Sequence, residues 1–420
     1  MIRKTEHTYR KKEVDTILSR ISEPRQRIQV IMGPRQCGKT TSIRMALNEV
    51  MCDYDYYVAD NKGTTDNSWI LNVWEMTRLK QKQSGNKEYI IVIDEIQKIK
   101  NWSEAVKQAW DEDTWNGTNI KAVILGSSRV MIQKGLEESL AGRFETIKMG
   151  YWDFEEMNKA FGMSLNEYIY FGGFPGLAGL IHDEERWREA VEDSIVLPML
   201  SRDIEEIEEI RNPSLLRNIF YTGSSFSSRE LSVSNLQTQM NKGSEPTIAS
   251  YLDILDKSMM LKPIQKASMA QLVTRKSIPK MQAYSNGFYN VGSGYSFEKA
   301  QNDPSEWGRQ FESCIGAYLA NHSITEGFQL LYWRGEAIVN GKKNTYEVDY
   351  VLKKNDSLIG IEVKSGNSTT YSGITAFKSK FGNKVVAAFI VGKGGITLEE
   401  FFKVDLKKLF ITKAIKPKLA

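Results

Sequence analysis

Two acids and a lysine are spaced for shared chemistry in the stretch YEVDYVLKKNDSLIGIEVKSG, residues 346–366. Within a strand, residues two apart lie on one face, so Glu362 and Lys364 point to the same side. Asp349 lies on the preceding strand, before a turn at residues 353–356, close enough to share a cation with Glu362. Carboxylate oxygens suit Mg²⁺ or Mn²⁺, which prefer hard ligands. The alternation predicts a hairpin that holds a divalent cation, with Lys364 orienting a water nucleophile or offsetting charge.

A helix ahead of this hairpin supplies a further candidate ligand. Residues 307–321, WGRQFESCIGAYLAN, have an amphipathic helical pattern with Glu312 beside the apolar face. We therefore expect Glu312 to be able to join the same cation. In a chain with 26% charged residues, an acid followed at loose spacing by Glu-x-Lys also arises by chance, so an exposed hairpin with ordinary charges is the alternative.

A phosphate-binding loop is indicated near the amino end. The apolar run Ile28–Met32 leads into GPRQCGKT and then into a helical pattern from Thr41, which is the strand–loop–helix context that GxxxxGK[ST] requires. Glycines let backbone N–H groups wrap phosphates at a helix N-terminus, while Lys39 reaches the outer phosphates and the Thr40 hydroxyl can bind Mg²⁺. The expected nucleotide-binding residues of this loop are Gly33, Pro34, Arg35, Gln36, Cys37, Gly38, Lys39, Thr40 and Thr41.

Two acids follow a second apolar run, Tyr89–Ile93. Buried parallel strands are continuous β-branched runs, and the carboxyl ends of such strands face the ligand in α/β sheets. Asp94 is then the partner of Mg²⁺, directly or through water, and Glu95 polarises an attacking water. The Asp-Glu pair favours ATP hydrolysis over a kinase-like or switch-GTPase reaction.

Hydroxyl and guanidinium groups follow the next two strands. A run at 121–125 ends in Gly-Ser-Ser, where Ser127 or Ser128 can hydrogen-bond the γ-phosphate or the lytic water; an ordinary turn is the alternative. Arg143, in SLAGRFETIKMG, precedes another strand-like run. An exposed arginine there can reach the nucleotide of a neighbouring subunit and neutralise charge that develops in phosphoryl transfer. A surface salt bridge is the competing explanation.

The segments GPRQCGKTT, YIIVIDEIQK, VILGSS, LAGRF and YFGGFPG, in this order, resemble a large group of bacterial and archaeal AAA+-type ATPases. In that group the P-loop domain is followed by a winged helix and a C-terminal domain similar to restriction endonucleases of the PD-(D/E)xK type. The resemblance implies a Walker A motif with Lys39 and Thr40, a Walker B motif with Asp94 and Glu95, a sensor at Ser127 or Ser128, and an arginine finger at Arg143. It also implies that Pro175, in Gly-Phe-Pro, contacts nucleotide, although Gly-Gly-x-Pro is also a common helix-ending turn.

The resemblance covers nearly the whole chain and implies an α/β protein in four parts. These are an AAA+-type P-loop ATPase core at 1–152, a helical lid at 153–205, a winged-helix domain at 206–295 and a restriction-endonuclease-like α/β domain at 296–420. The third helix of the winged-helix part has few basic residues, since Lys257, Lys262 and Lys266 come at or after its end. Contact with a protein is therefore the alternative to contact with DNA.

Composition excludes several classes of protein. The chain has 420 residues, 41% of them hydrophobic, which is typical of a globular protein of several domains. No apolar run approaches the roughly 18 residues that cross a bilayer, and the charged N-terminus lacks the apolar core of a secretory signal. We expect a cytoplasmic protein without a membrane partner. Its three cysteines and three histidines have no CxxC or HExxH spacing, so no zinc site is expected.

Positive charge is concentrated at one end. Residues 341–420 contain 15 lysines, no arginine and 7 acids, a net charge of +8, and the rest of the chain therefore carries −4. A basic end can face DNA phosphates, although solvated lysines are the alternative.

These patterns lead to three hypotheses. The first is a homo-oligomer, with a hexamer as one candidate, that uses ATP and Mg²⁺ to move on or remodel DNA. In this hypothesis the C-terminal domain, with a second Mg²⁺ or Mn²⁺, grips DNA and is a candidate to cleave it. The second is a signalling switch with slow ATP turnover that binds a protein partner. The third is a defence nuclease whose cutting is gated by ATP.

Overall fold

The chain folds into two compact units. In a computed structural model, the described residues are 10–59, 66–126, 135–136, 139–204, 210–268, 277–339, 342–366 and 371–411. The first unit comprises Met1–Gly150 and Leu197–Ile210, and the second comprises Tyr151–Val196 and Arg211–Ala420. The expected boundary after residue 152 lies close to the one after residue 150, whereas most of the three later parts expected from the sequence cluster in a single unit.

The first unit is built on a five-stranded parallel sheet. Its described strands are β1 (Ile28–Met32), β2 (Tyr54–Val58), β3 (Tyr89–Asp94), β4 (Ile120–Gly126) and β5 (Phe144–Lys148), and its described helices include α1 (Lys11–Ser22), α2 (Lys39–Leu47), α3 (Ser68–Ser84) and α4 (Trp102–Asn116). The strand order is β2-β3-β4-β1-β5, and every neighbouring pair is parallel. Parallel neighbours require long crossover connections, which these helices provide.

Each face of this sheet is buried in its own core. Along β3, Ile91 packs in a core with Trp74 of α3, whereas Ile90 packs in a second core with Ile43 of α2. Every residue of β1, β3 and β4 is buried. Burial on both faces explains why these strands are uninterrupted apolar runs in the sequence. The predicted α/β core with a P-loop is confirmed.

The second unit mixes helices with a six-stranded sheet. Its described helices are α5 (Phe154–Phe161), α6 (Leu165–Phe171), α7 (Glu184–Val191), α8 (Pro213–Ser225), α9 (Val233–Met240), α10 (Glu245–Lys257), α11 (Asn286–Ser293), α12 (Phe297–Asn302), α13 (Pro304–Glu326), α14 (Ser372–Phe381), α15 (Leu398–Phe402) and α16 (Leu406–Ile411). Its described strands are β6 (Leu261–Lys266), β7 (Lys280–Ala283), β8 (Gln329–Val339), β9 (Lys342–Lys354), β10 (Ser357–Lys364) and β11 (Val385–Gly392). The predicted order of helix, three strands, helix and strand is present as α13, β8, β9, β10, α14 and β11.

The sheet of the second unit joins two segments that the sequence analysis separates at residue 295. Its strand order is β11-β10-β9-β8-β6-β7. β6 pairs with β7 in antiparallel fashion and with β8 in parallel fashion. Because strands of one sheet share backbone hydrogen bonds, the hairpin after α10 and the C-terminal strands form a continuous structure. The sequence pattern indicates each hairpin but not the pairing between β6 and β8, which lie far apart along the chain.

The hairpin that contains Asp349 and Glu362 is formed by β9 and β10. The two strands pair in antiparallel register, with Ile361 opposite Tyr350. Asn355 in the connecting turn has a φ of 53°, a left-handed conformation that asparagine tolerates better than most residues. One face of the sheet packs on α14 through Trp333 and Phe377. Among the described helices, none combines the length and the apolar character that a bilayer crossing requires.

Close packing of α13 on the sheet gives a stability prediction. A Cβ atom at Gly316 would overlap the Gln282 amide and the Tyr350 hydroxyl. We expect Gly316→Ala to lower the free energy of unfolding by about 1–3 kcal/mol, because overpacked side chains must move. The matched control is Gly292→Ala in α11, where the nearest atom to an added Cβ lies at 3.7 Å. Denaturant unfolding should leave this control unchanged or more stable, and equal stability of both variants would contradict the packing argument.

Candidate functional site

The loop between β1 and α2 has the backbone shape of an anion site. Gln36 and Gly38 have φ values of 59° and 90°, and left-handed turns of this kind gather backbone N–H groups into a concave surface. Glycine adopts the conformation at position 38 without steric cost. Helix α2 begins at the next residue, so its free N–H groups favour negative charge at the same place.

The side chain of Lys39, the first residue of α2, contacts this loop. Its ammonium donates to the carbonyl oxygens of Gly33 at 2.9 Å and Pro34 at 2.8 Å, and the residue is 6% exposed. A buried ammonium requires hydrogen-bond partners, and here they are neutral. Phosphate oxygens make stronger, charge-assisted bonds, so these carbonyls can be exchanged for phosphate.

Thr40 and Asp94 join the two motifs. The Thr40 hydroxyl donates to Asp94 Oδ2 at 2.9 Å, and Asp94, at the end of β3, is buried. A hydroxyl and a carboxylate in contact form an oxygen donor set that fits Mg²⁺. The structure therefore brings together the two residues predicted to hold the nucleotide's metal.

Glu95 has an unusual backbone. Its φ is 56°, a conformation that costs roughly 1–2 kcal/mol for a residue with a Cβ and that is concentrated at functional sites. Its N–H donates to Asp94 Oδ1 at 2.9 Å, and its carboxylate accepts from Gln97 Nε2 at 2.7 Å. The residue is half-buried and directly follows Asp94 in the chain. Its role in activating water stays a prediction.

Tyr56, on β2, is a site residue that the sequence analysis misses. Its hydroxyl donates to Asp94 Oδ2, the same oxygen that accepts from Thr40. Burial, followed by the bond to Asp94, raises the pKa of Tyr56 far above its usual range, so the hydroxyl stays protonated and donates. No local signal marks this tyrosine, because it lies 38 residues from its partner.

A second missed residue is Arg10, which is buried at the start of α1. Its guanidinium donates to the carbonyl oxygen of Cys37 at 2.8 Å and to that of Gly150. The side chain therefore fastens the phosphate loop to the segment that follows β5. The sequence gives no signal for it, because a charged N-terminal arginine is ordinarily solvated.

Arg143 lies at the opposite edge of the sheet from the phosphate loop. Its carbonyl accepts from the N–H of Ile28, the first residue of β1, whereas the loop follows the last residue of that strand. The five residues of β1 span about 16 Å, more than an arginine side chain can reach. The guanidinium instead forms a two-bond ion pair with Asp111, at 2.7 and 3.0 Å.

The remaining nucleotide residues of the sequence analysis are placed as follows. Arg35 is half-buried, Cys37 is buried and Thr41 is exposed. Pro175 lies in the second unit, where it begins the short 3₁₀ helix Pro175–Leu180. Its contact with nucleotide stays a prediction. Ser127 and Ser128, the sensor candidates, lie outside the described residues.

The second unit contains a cluster of three carboxylates around one lysine, which we call the acidic cluster. Its members are Glu312, Glu347, Asp349 and Lys280. The Lys280 ammonium lies 2.7 Å from Glu312 Oε1, 3.7 Å from Asp349 Oδ1 and 3.8 Å from Glu347 Oε1. Lys280 is 2% exposed. It belongs to β7 and is absent from the residues predicted from the sequence.

The Lys280 ammonium and the carboxylates of the acidic cluster stabilise one another's charged forms. Burial opposes the charge on Lys280, but Glu312, Asp349 and Glu347 outweigh it and raise the pKa of the lysine. Burial raises the pKa of the Glu312 carboxyl, and the lysine counteracts this rise. The buried ammonium is therefore the charge that allows several partly buried carboxylates to lie together.

The other two members of the predicted quartet form a separate ion pair. Lys364 lies 2.6 Å from Glu362 Oε1, so the two side chains share one side of β10 as the alternation predicts. Glu362 Oε2 accepts from the backbone N–H of Ile374 at 3.3 Å. Asp349 Oδ2 accepts from the N–H of Val363 at 2.7 Å. The hairpin thus aligns Asp349 beside Glu362, but through backbone bonds.

The expected second metal site is not assembled in the part of the chain that the structure describes. No group of three histidine, cysteine, aspartate or glutamate side chains there is arranged to hold a metal ion. The expected site consists of Glu312, Asp349 and Glu362, with Lys364 beside them. In the structure Glu312 and Asp349 lie near Lys280, whereas Glu362 pairs with Lys364. The donor set does not fit a divalent cation, and we derive no chemical step through one.

Comparisons with known proteins match three consecutive parts of the chain. Residues 25–158 match a family model described as an AAA domain, whereas residues 163–297 and 307–403 match two domains of unknown function, DUF8612 and DUF4143. An uncharacterized protein from Haemophilus influenzae is 22% identical over 355 residues, covering 80% of this chain and 82% of that protein. The first unit therefore contains an AAA-type P-loop ATPase domain.

Two solved structures are similar to this chain at lower sequence identity. The Aeropyrum pernix ORC1 protein in complex with DNA is 11% identical, with a TM-score of 0.31, and the match covers 69% of this chain and 93% of that one. A variant of RuvB from Thermotoga maritima is 14% identical, with a TM-score of 0.34, over 60% of this chain and 88% of that one.

The contact between Tyr56 and Asp94 gives a kinetic prediction. We expect Tyr56→Phe to reduce the kcat of ATP hydrolysis about tenfold, because one bond that orients the Asp94 carboxylate is lost, at a cost of about 1.4 kcal/mol. Steady-state ATPase assays and nucleotide titration should show that ATP binding is retained. Tyr57→Phe is the matched control, since its hydroxyl contacts Asp55 at 3.2 Å. Equal rates for both variants would contradict a role for Tyr56.

Proposed function

We propose that this chain is an ATP-hydrolysing, DNA-associated AAA+ protein that acts as a homo-oligomer. The observation that carries the proposal is the direct contact of Thr40 with Asp94, together with the buried ammonium of the adjacent residue Lys39. Together these residues supply the cation, hydroxyl and carboxylate that ATP hydrolysis requires. Mg²⁺, held by Thr40 and Asp94 when bound, would neutralise charge on the phosphates.

Three further residues of the site have separate roles in hydrolysis. Lys39 exchanges its carbonyl partners for phosphate oxygens and stabilises the negative charge on those oxygens. Glu95 lies one residue after Asp94, with its carboxylate oriented by Gln97, and accepts a proton from the attacking water. Tyr56 keeps the Asp94 carboxylate in a fixed orientation. Hydrolysis is therefore assigned to the edge of the sheet where β1 and β3 end.

Arg143 is assigned to the nucleotide of a neighbouring subunit. Its place at the amino edge of the sheet separates it from the phosphate loop of its own chain. A side chain that acts on ATP from this place must do so across a head-to-tail interface, in which each subunit offers a different surface to its neighbour. This requirement supports a ring or filament in preference to a symmetric dimer.

DNA binding is assigned to the carboxyl part of the second unit. Between residues 371 and 411 seven lysines are exposed and only three acids are present. The exposed lysines are Lys378, Lys380, Lys384, Lys393, Lys403, Lys407 and Lys408. Exposed cations release counterions when they meet phosphates, which supports binding independent of base sequence.

A switch that binds a protein partner is the second candidate, and α10 favours it. We interpret α8, α9, α10 and the β6–β7 hairpin as a winged helix. Two lysines at and after the end of its third helix are already paired, Lys257 with Asp253 at 2.7 Å and Lys262, in β6, with Asp256 at 3.1 Å. A helix that presents ion pairs instead of free cations suits a protein surface better than a DNA groove.

Mixing two inactive variants tests the position of Arg143. We expect Arg143→Ala to reduce kcat by about 1000-fold while ATP still binds, as for an arginine finger, and Lys39→Ala to be inactive. In a mixture of the two, about a quarter of the head-to-tail interfaces combine an intact lysine with an intact arginine. ATPase activity of the mixture should therefore recover to about a quarter of the wild-type value.

The control is Asp111→Asn, which weakens the ion pair but leaves Arg143 in place. Because an exposed ion pair contributes only about 0–1 kcal/mol, this variant should fold and keep its turnover. Undiminished turnover in Arg143→Ala, or no recovery in the mixture, would contradict action between subunits.

DNA dependence separates the two candidate functions. We expect duplex or branched DNA to stimulate ATP hydrolysis and to increase particle size, both measured over a panel of DNA structures. Replacing Lys378 and Lys380 with glutamate should weaken DNA binding and lower its salt dependence by about one phosphate contact per lysine, measured by fluorescence anisotropy at several salt concentrations. The matched control is Lys257→Glu, on the ion-paired helix.

If no form of DNA stimulates hydrolysis or binds in a salt-dependent way, the DNA assignment fails and the protein-binding switch takes its place. If Lys257→Glu weakens DNA binding as strongly as the paired substitution, α10 and not the C-terminal lysines contacts DNA.

A further inference from the structure

The acidic cluster raises the question of which cation it is built to hold. We propose that the Lys280 ammonium is the permanent cation of this cluster, occupying the position that a divalent metal would need and excluding such a metal from the cluster. The proposal concerns residues 280–364 and is independent of the proposed ATPase function, which rests on the first unit.

The distances within the cluster suit an ammonium ion. The four oxygens around Lys280 Nζ lie at 2.7 Å for Glu312, 3.3 Å for the carbonyl of Asp349, 3.7 Å for its carboxylate and 3.8 Å for Glu347. Mg²⁺ requires oxygens at about 2.0–2.1 Å, and even Ca²⁺ requires about 2.3–2.6 Å. The cage is therefore wider than a divalent ion uses and contains a cation already.

Lys280 is fixed both at its backbone and at its ammonium group. Its backbone pairs with Ile264 of β6 and forms a bridge with Glu230. Its ammonium lies 5.0 Å from the centre of the Tyr350 ring, an arrangement that favours a cation. Because the residue is 2% exposed, it lacks the surface freedom by which most lysines swing into solvent. The ammonium is thus a fixed part of the fold.

The carboxylates that a metal would need are also engaged elsewhere. Asp349 uses one oxygen toward Lys280 and the other to accept from Val363 N–H. Glu362 uses one oxygen toward Lys364 and the other to accept from Ile374 N–H. Each oxygen of these two acids therefore already has an ammonium or a backbone N–H as a partner. These bonds align the two acids while satisfying them without metal.

The consequence is a domain that has the acid types of a metal site but in which an ammonium already lies among three of the acids. Any contact that this unit makes with DNA phosphates then depends on its exposed lysines and not on a bridging metal. The mechanism of metal-dependent phosphodiester cleavage, which needs a cation to activate water, has no place at this cluster.

The test counts bound Mn²⁺ on the full-length chain without nucleotide, using electron paramagnetic resonance to separate free from bound ion. Wild type, Asp349→Asn and Glu312→Gln should bind the same number of ions, because neither acid is a ligand. Lys280→Ala should gain one Mn²⁺ per chain, since removal of the ammonium leaves the carboxylates unneutralised. Lys280→Ala combined with Asp349→Asn should lose this gain.

Two results would overturn the proposal. One is a Mn²⁺ ion on the wild-type chain that Asp349→Asn or Glu312→Gln removes, which would show that the acids bind metal in the presence of the lysine. The other is a folded Lys280→Ala variant that gains no ion. If circular dichroism shows that Lys280→Ala does not fold, the comparison of wild type with the two isosteric acid variants decides alone.

Discussion

The hydrogen bond between Thr40 and Asp94 is the contact on which the organisation of the first unit depends. It joins the first turn of α2 to the end of β3, two places that the chain separates by more than fifty residues. A parallel sheet makes the contact possible, because all its strands end at one edge and both faces are buried by helices. Tyr56 and Arg10 add bonds to the same framework, one to the carboxylate and one to the loop. Together these bonds hold the phosphate loop and the end of β3 at one edge of the sheet.

Two buried lysines illustrate how the partners of a charge determine what it can do. Lys39 is bonded to neutral carbonyl oxygens, which a phosphate outcompetes because a charge-assisted bond is roughly twice as strong. Lys280 is surrounded by carboxylates, which no incoming anion outcompetes and which themselves need the lysine. Both side chains are similarly buried, so burial alone does not distinguish a binding lysine from a structural one. The formal charge of the surrounding oxygens does.

Local patterns in the sequence predict much of this structure. The strand–loop–helix of the phosphate site, the run that ends in Asp94 and Glu95, and the β9–β10 hairpin all depend on periodicity within about twenty residues. The parallel pairing of β6 with β8 and the contacts of Tyr56 and Lys280 depend on residues 32–69 positions away. Tyrosine and lysine in short strands give no sign of such partners. The acids of the hairpin are recognisable from their spacing, but Lys280, which lies near Asp349, belongs to a different strand.

The position of Arg143 follows from the sheet topology and not from a local sequence pattern. The small free energy of its ion pair with Asp111 explains why the arginine stays available for another contact. The guanidinium and its partner Asp111 are 34% and 42% exposed. At such exposure water screens the attraction, and an ion pair contributes only about 0–1 kcal/mol. Contacts between arginine and phosphate are charge-assisted, and they become stronger where a subunit interface excludes water. Release of Arg143 from Asp111 therefore costs little compared with what a neighbouring phosphate offers. In this way the weak pair with Asp111 leaves Arg143 available for the contact with a neighbouring subunit that we propose.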